Sequence, residues 1–171
     1  MTDAPDTQPE AQPNIPVPQI RVMGQYVKDL SFENPGAPDS MRAGNAQPDI
    51  NVGVDVKARP LDDETFEVVL VLNAHAKRGE ETMFITELTY AGLFQLRGLD
   101  QTARDPFLLI ECPRLIFPFA RRVLSDATRD GGFPPLMLEP IDFAGLYRQQ
   151  LAKAASDAGG ETGGNPPAGT A

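Results

Sequence analysis

The sequence predicts an α+β fold: a four-stranded antiparallel sheet with helices packed on one face. Three observations carry that reading. Segments with a two-residue apolar period occupy the chain as far as Phe94, and segments with a helical period follow from Thr102. Strands that precede helices, instead of alternating with them, are the order of an α+β domain. The connections after the second strand are short, which suits antiparallel neighbours.

The first strand is predicted over 20–33, ending in Tyr26-Val27-Lys28-Asp29-Leu30-Ser31-Phe32-Glu33. Residues 34–48, with three prolines and two glycines, form a long loop. Residues 50–59 alternate with little interruption: Ile50, Val52, Val54, Val56 and Ala58 stand against Asn51, Gly53, Asp55, Lys57 and Arg59. The acidic turn Asp62-Asp63-Glu64 leads to a third strand over 66–76, where Phe66, Val68, Leu70 and Leu72 share a face. Val69 and Val71 make the middle of the opposite face apolar as well. The turn Lys77-Arg78-Gly79-Glu80 leads into a fourth strand over 79–94. There Phe84, Leu88 and Tyr90 fall on one side, and Met83, Ile85 and the acidic Glu87 on the other. A strand with one wet face would alternate cleanly, so a second surface has to be covered by this chain or by a partner.

Residues 102–129 carry too many apolar side chains for a single stripe, so this helix is buried on more than one side. Pro106, Pro113 and Pro118 start, kink or divide it. The loop Gly131-Gly132-Phe133-Pro134-Pro135-Leu136-Met137-Leu138 follows. The last helix has Asp142 as its N-cap and one stripe of Phe143, Leu146, Tyr147, Leu151 and Ala154.

At 171 residues the chain suits one domain with tails. Residues 1–19 hold five prolines, three acids and no Lys or Arg, and residues 157–171 hold five glycines and two prolines. Both segments bury too little to offset the entropy of ordering them and are predicted to be disordered, leaving a core domain over 20–156. The net charge is −9, of which the tails account for −5. Within the core, residues 29–87 hold 12 acids against five bases. That acidity argues against nucleic acid or an anionic membrane as partner and favours a basic one, although a surface kept acidic for solubility gives the same charge.

Chemistry is sparse. The single cysteine, Cys112, allows no intrachain disulfide and reads as a buried structural thiol. The single histidine, His75, reads as a strand residue in a polar contact, and one His with one Cys does not make a structural zinc site. The paired acids fall at turns, where solvation accounts for them. Gly131-Gly132 follows a helix and lacks the Lys and Ser/Thr of a phosphate-binding loop. No catalytic residue, metal ligand or cofactor site is expected, and no membrane span or leader is read from the chain, so it is expected to be cytoplasmic. What remains is apolar excess, explained either by subunit interface or by a surface that accepts varied apolar segments.

Three segments sharpen this choice: Tyr26-Val27-Lys28-Asp29-Leu30-Ser31-Phe32-Glu33-Asn34-Pro35; the run from Gly79-Glu80-Glu81-Thr82 through Gly92-Leu93-Phe94; and Cys112-Pro113-Arg114-Leu115-Ile116-Phe117-Pro118-Phe119-Ala120-Arg121. Together with Gly132-Phe133-Pro134-Pro135-Leu136 and Pro140-Ile141-Asp142-Phe143, they closely resemble the bacterial protein-export chaperone family SecB, over nearly the whole of residues 20–154. The tails resemble those of alphaproteobacterial members. The resemblance implies a homotetramer built as a dimer of dimers. It also implies ATP-independent binding of unfolded precursor proteins and their delivery to the translocation motor SecA.

The family's SecA site falls on Asp29 and Glu33 in the first strand and on Ile85 and Glu87 in the fourth. Its partner is the zinc-containing C-terminal segment of SecA, the zinc belonging to that partner. Precursor binding is assigned to Phe133, Leu136 and Met137. One departure stands out: Ala46 precedes Gln47-Pro48 where many members have an aromatic residue, so an aromatic wall of the groove is missing or supplied by another residue such as Phe133. The alternative function is a structural or adaptor oligomer that binds one folded partner.

Overall fold

The computed structural model describes residues 19–42 and 47–159. The rest of the predicted tails, and Ala46 in the long loop, lie outside the described residues. Four strands come first: β1 (Gln19–Glu33), β2 (Asp49–Pro60), β3 (Thr65–Arg78) and β4 (Glu81–Arg97). They form one sheet in the order β1-β4-β3-β2, with every neighbouring pair antiparallel. The helices α1 (Gln101–Pro106), α2 (Cys112–Asp130) and α3 (Phe143–Gly159) follow, and α2 lies across β4 and β3.

The predicted alternation accounts for the core. Val68, Leu70 and Leu72 of β3 and Leu88 and Phe94 of β4 are fully buried, in one cluster with Ile116, Ala120 and Leu124 of α2. Each of these side chains other than that of Ala120 contributes roughly 1.5–3 kcal/mol by leaving water. The turn before β3 is held by Asp62, whose Oδ1 accepts the N–H groups of Glu64 (3.0 Å) and Thr65 (2.8 Å). These bonds hold the Asp62 carboxyl below its ordinary value. The turn into β4 uses Gly79 at φ 60°, a conformation that favours glycine.

The first helical segment is divided at Pro106 and Pro113, whereas Pro118 lies inside α2 without ending it. Pro113 has no N–H to offer the preceding turn, and the backbone widens into a π turn over Phe107–Glu111, closed by Cys112 N–H bonding to Phe107 O. At α3, Asp142 caps the helix, its Oδ1 accepting from Gly145 N–H at 2.9 Å. The predicted stripe of this helix is covered only at its start: Phe143 is buried against Phe117, whereas Leu151 is exposed.

Met83 departs from the expected alternation. Alternation sets it with Ile85 and Glu87, yet it is buried and lines the same cavity as Phe84. The cause is a shift in register: Ala76 pairs with Phe84 and Lys77 with Thr82, so Met83 is an extra residue in β4. No described helix packs on the second face of the sheet, where Val69, Val71, Ile85 and Leu93 remain half-buried.

Candidate functional site

The face of the sheet away from the helices carries the acidic residues singled out in the sequence. In the β1–β4 register, Asp29 stands opposite Thr89, Ser31 opposite Glu87, and Glu33 opposite Ile85. Asp29, Glu33, Ile85 and Glu87 therefore share one surface, with adjacent strands about 4.8 Å apart. The three carboxylates are exposed, and among the described residues none has a base within 4.0 Å. Ile85, half-buried between them, supplies an apolar contact. Such a surface attracts a basic segment through several weak charge contacts acting together.

Farther along the same face lies an acid that sequence reasoning missed. Glu67 of β3 is 1 % exposed. Its Oε1 accepts from the Tyr26 hydroxyl at 2.5 Å and from Lys28 Nζ at 3.0 Å, and its Oε2 from Arg59 Nε at 2.5 Å. These bonds, the Tyr26 bond foremost, hold its carboxyl at about 2, against the resistance of burial. The same bond raises the Tyr26 hydroxyl above its ordinary value. The partners come from β1 and β2, so one carboxylate ties together three strands. Its only signal in the sequence is an acid between Phe66 and Val68 at the start of an apolar run that continues to Leu72.

A second site lies on the helix side, at the end of the sheet. The loop after α2, the long loop after β1 and the ends of β2 and β4 enclose a cavity of about 610 Å³. Phe133, Leu136 and Met137 all line it, together with Met41, Ile50 and Met83. Phe133 packs on Phe84 with ring centroids 5.1 Å apart and on Phe32 at 6.3 Å, and Phe32 stacks on Phe84 at 5.7 Å. Phe84 of β4 and Phe133 of the loop thus form an aromatic wall of the cavity, backed by Phe32 of β1. Leu136 is buried, Phe133 half-buried and Met137 65 % exposed, so the lining grades from fixed to accessible.

Thr128 holds this loop in place. It is fully buried in α2, and its Oγ1 accepts Leu136 N–H at 2.9 Å while lying 3.1 Å from Leu124 O and 3.0 Å from Ser125 O. Phe133 N–H donates to Thr128 O at 3.1 Å, and Arg121 Nη1 donates to Leu138 O at 3.1 Å. At the turn itself, a Cβ on Gly131 would lie 2.2 Å from the Phe32 ring, and Gly132 has φ 87°. Only glycine allows the loop to approach β1 this closely.

The remaining candidates are structural. Burial, and then the charge of Glu111, push the Cys112 thiol up to about 12, which suppresses the reactive thiolate. His75 Nε2 lies 3.1 Å from Thr82 Oγ1. Glu64 pairs with Arg97 at 2.7 Å. Among the described residues no cluster of three or more His, Cys, Asp or Glu side chains could hold a metal ion. No described helix is long and apolar enough to cross a membrane.

Comparison with known proteins finds relatives over nearly the whole chain. The profile of the family described as preprotein translocase subunit SecB matches residues 12–154. A protein-export protein SecB of Maricaulis maris is 64 % identical over 166 residues, covering 96 % of each chain. Another, of Hyphomonas neptunium, is 51 % identical and covers 96 % of this chain and 99 % of its own. Among solved structures, a SecB-like chaperone of Mycobacterium tuberculosis, in complex with an antitoxin peptide, shares the fold. Its TM-score is 0.55 at 21 % identity, covering 72 % of this chain and 90 % of that one.

Proposed function

The chain belongs to the SecB family, and from that premise we propose how its two surfaces divide the work. The function is that of an ATP-independent chaperone, which holds unfolded precursor proteins in an export-competent state and passes them to SecA. Precursor segments bind in the groove lined by Phe84 and Phe133, which Phe32 backs, with Met41, Met83 and Met137 adapting to their side chains. Extended apolar and aromatic segments suit the apolar part of this lining, and Ser40, Arg42, Gln47 and Arg78 supply its polar contacts.

The zinc-containing C-terminal segment of SecA binds the opposite face through Asp29, Glu33 and Glu87, with Ile85 as the apolar contact. The supporting observation is the register that sets Ser31 against Glu87 and Glu33 against Ile85, leaving the acids exposed together. Because the sheet separates the two sites, SecA can engage while the groove is still occupied. The chaperone acts in the cytoplasm, where precursors and SecA meet.

We further read the assembly as a homotetramer, a dimer of dimers. Strand β1 is an edge strand with Ile20, Val22, Val27 and Leu30 at 38–45 % exposure, and Leu115 and Phe119 of α2 are equally open. A long apolar edge of this kind invites pairing with another copy. Light scattering at micromolar concentration tests the assembly, and a stable monomer would contradict it. Calorimetry with the zinc-loaded SecA segment tests the acidic site. Asp29→Lys/Glu87→Lys should lose at least about tenfold in affinity, since repulsion replaces two contacts of up to about 1 kcal/mol each. Full affinity in an intact tetramer would rule this site out.

A further inference from the structure

The strand that carries Asp29 is not regular. Its register with β4 shifts twice, between Val22 and Gly24 and between Val27 and Asp29. At the second shift Val27 pairs with Tyr90 and Asp29 with Thr89, so Lys28 is an extra residue with no partner across the ladder. The consequence is a change of parity. Tyr26 and Lys28 both reach the open face, where they meet Glu67. In a regular strand Asp29 would then turn toward the helices, and Ser31 and Glu33 with it, because successive side chains alternate. The bulge restores all three to the open face and sends Phe32 to the helix side, where it stacks on Phe84.

Two anchors therefore bracket the bulge. Downstream, Phe32 is held in the aromatic wall. Upstream, Tyr26 and Lys28 are held by Glu67, which lies two strands away with β4 between them. The span is possible because Tyr26 stands opposite Ala91, whose single methyl leaves the path toward β3 open. Glu67 has no exposed surface with which to meet a partner itself.

We propose that Glu67 is a positioning residue for the acidic site: by holding Tyr26 and Lys28 it fixes the bulge that aims Asp29 across the open face toward Glu87. This rests on the reading of that face as the SecA site. The anchor at Phe32 keeps Glu33 in place without help, so the effect of Glu67 falls on Asp29, the residue next to the bulge. Bulges re-aim side chains at functional surfaces in this way.

Lys28→Met separates positioning from charge. Removing a cation beside an acidic site strengthens binding of a basic segment if only charge matters. If Lys28 holds the bulge, binding weakens instead, by on the order of fivefold, the worth of about one exposed charge contact. Glu67→Gln, two strands from the β1 edge, serves as the second variant and should weaken binding similarly while light scattering and precursor capture stay unchanged. In an Asp29→Asn background neither substitution should weaken binding further, because the contact they position is already gone.

Amide hydrogen exchange over residues 27–30, measured on the whole assembly, reads the bulge without SecA and should speed up in both variants. Equal or tighter binding by Lys28→Met, additive losses with Asp29→Asn, or unchanged exchange over 27–30 would each overturn the proposal. If Asp29→Asn/Glu87→Gln binds the segment as the parent does, the site reading fails. The exchange measurement still decides whether Glu67 holds the bulge.

Discussion

Thr128→Val tests how the groove is held in shape. Valine matches threonine in volume and leaves α2 intact, but it removes the acceptor of Leu136 N–H, a buried bond of 2.9 Å. The stranded amide costs about 1–3 kcal/mol. Because the loop can relax by opening toward the cavity, the lower half of that range is expected, about 1–2 kcal/mol. Thr128→Ser keeps the hydroxyl and loses one buried methyl, about 0.8 kcal/mol. Urea midpoints alone will not separate the two, since both lose about 1 kcal/mol at a given protomer concentration. Amide exchange at Leu136 does. Protection should fall about 5–30-fold in the valine variant, the ratio that corresponds to 1–2 kcal/mol, and stay near the parent value in the serine variant. Precursor capture should follow the exchange, weakening in the valine variant alone. Unchanged protection of Leu136 in Thr128→Val would refute the idea that this hydroxyl anchors the groove loop.

Three more outcomes follow from the geometry. The Glu67 carboxyl titrates at about 2 in the folded protein against an ordinary 4.5, held down by Tyr26, Arg59 and Lys28. Its stabilisation is therefore present above pH 4.5 and lost as the pH falls from there toward 2. The stability gap between the parent and Glu67→Gln should shrink over that window by up to about 3 kcal/mol in acid denaturation, and a pH-independent gap would contradict it. Buried Cys112 should resist iodoacetamide at pH 8 in the folded protein and alkylate fully in urea, as read by intact mass, whereas rapid labelling of the folded protein would contradict its burial. Phe133→Ser/Met137→Ser should weaken capture of an unfolded precursor by about tenfold, from loss of an aromatic contact worth about 0.5–1.5 kcal/mol and a thioether contact worth about 0.3–1.5 kcal/mol, with the assembly intact. Unchanged capture would move the groove elsewhere.

The strands were legible wherever alternation is local. Residues 50–59 and 66–76 read as strands because their partners lie across short turns, and the structure extends them by only one or two residues at each end. Asp142 as an N-cap was legible for the same reason, its bond to Gly145 spanning three residues. The roles of Glu67 and Thr128 were not. Tyr26 and Lys28 lie 41 and 39 residues from Glu67, and nothing in a single sequence joins them. The extra residues Lys28 and Met83 escaped because a bulge is a property of the pair of strands, not of either alone. For the acidic surface, spacing alone indicated that Asp29, Ser31 and Glu33 share a face and that Ile85 and Glu87 share another. Only the β1–β4 register makes those faces one surface. The exposed half of the α3 stripe, with Leu151 at 53 %, shows the limit of periodicity: it marks an apolar face without saying whether this chain covers it.

The central claim is that this chain holds unfolded precursors without ATP. Its most direct test is the refolding of an unrelated precursor diluted from denaturant, with no nucleotide present, at rising concentrations of the pure protein. The account predicts progressively slower refolding, suppressed aggregation, and release when SecA is added. Refolding and aggregation at the same rates with and without the protein, while its assembly is intact, would contradict it.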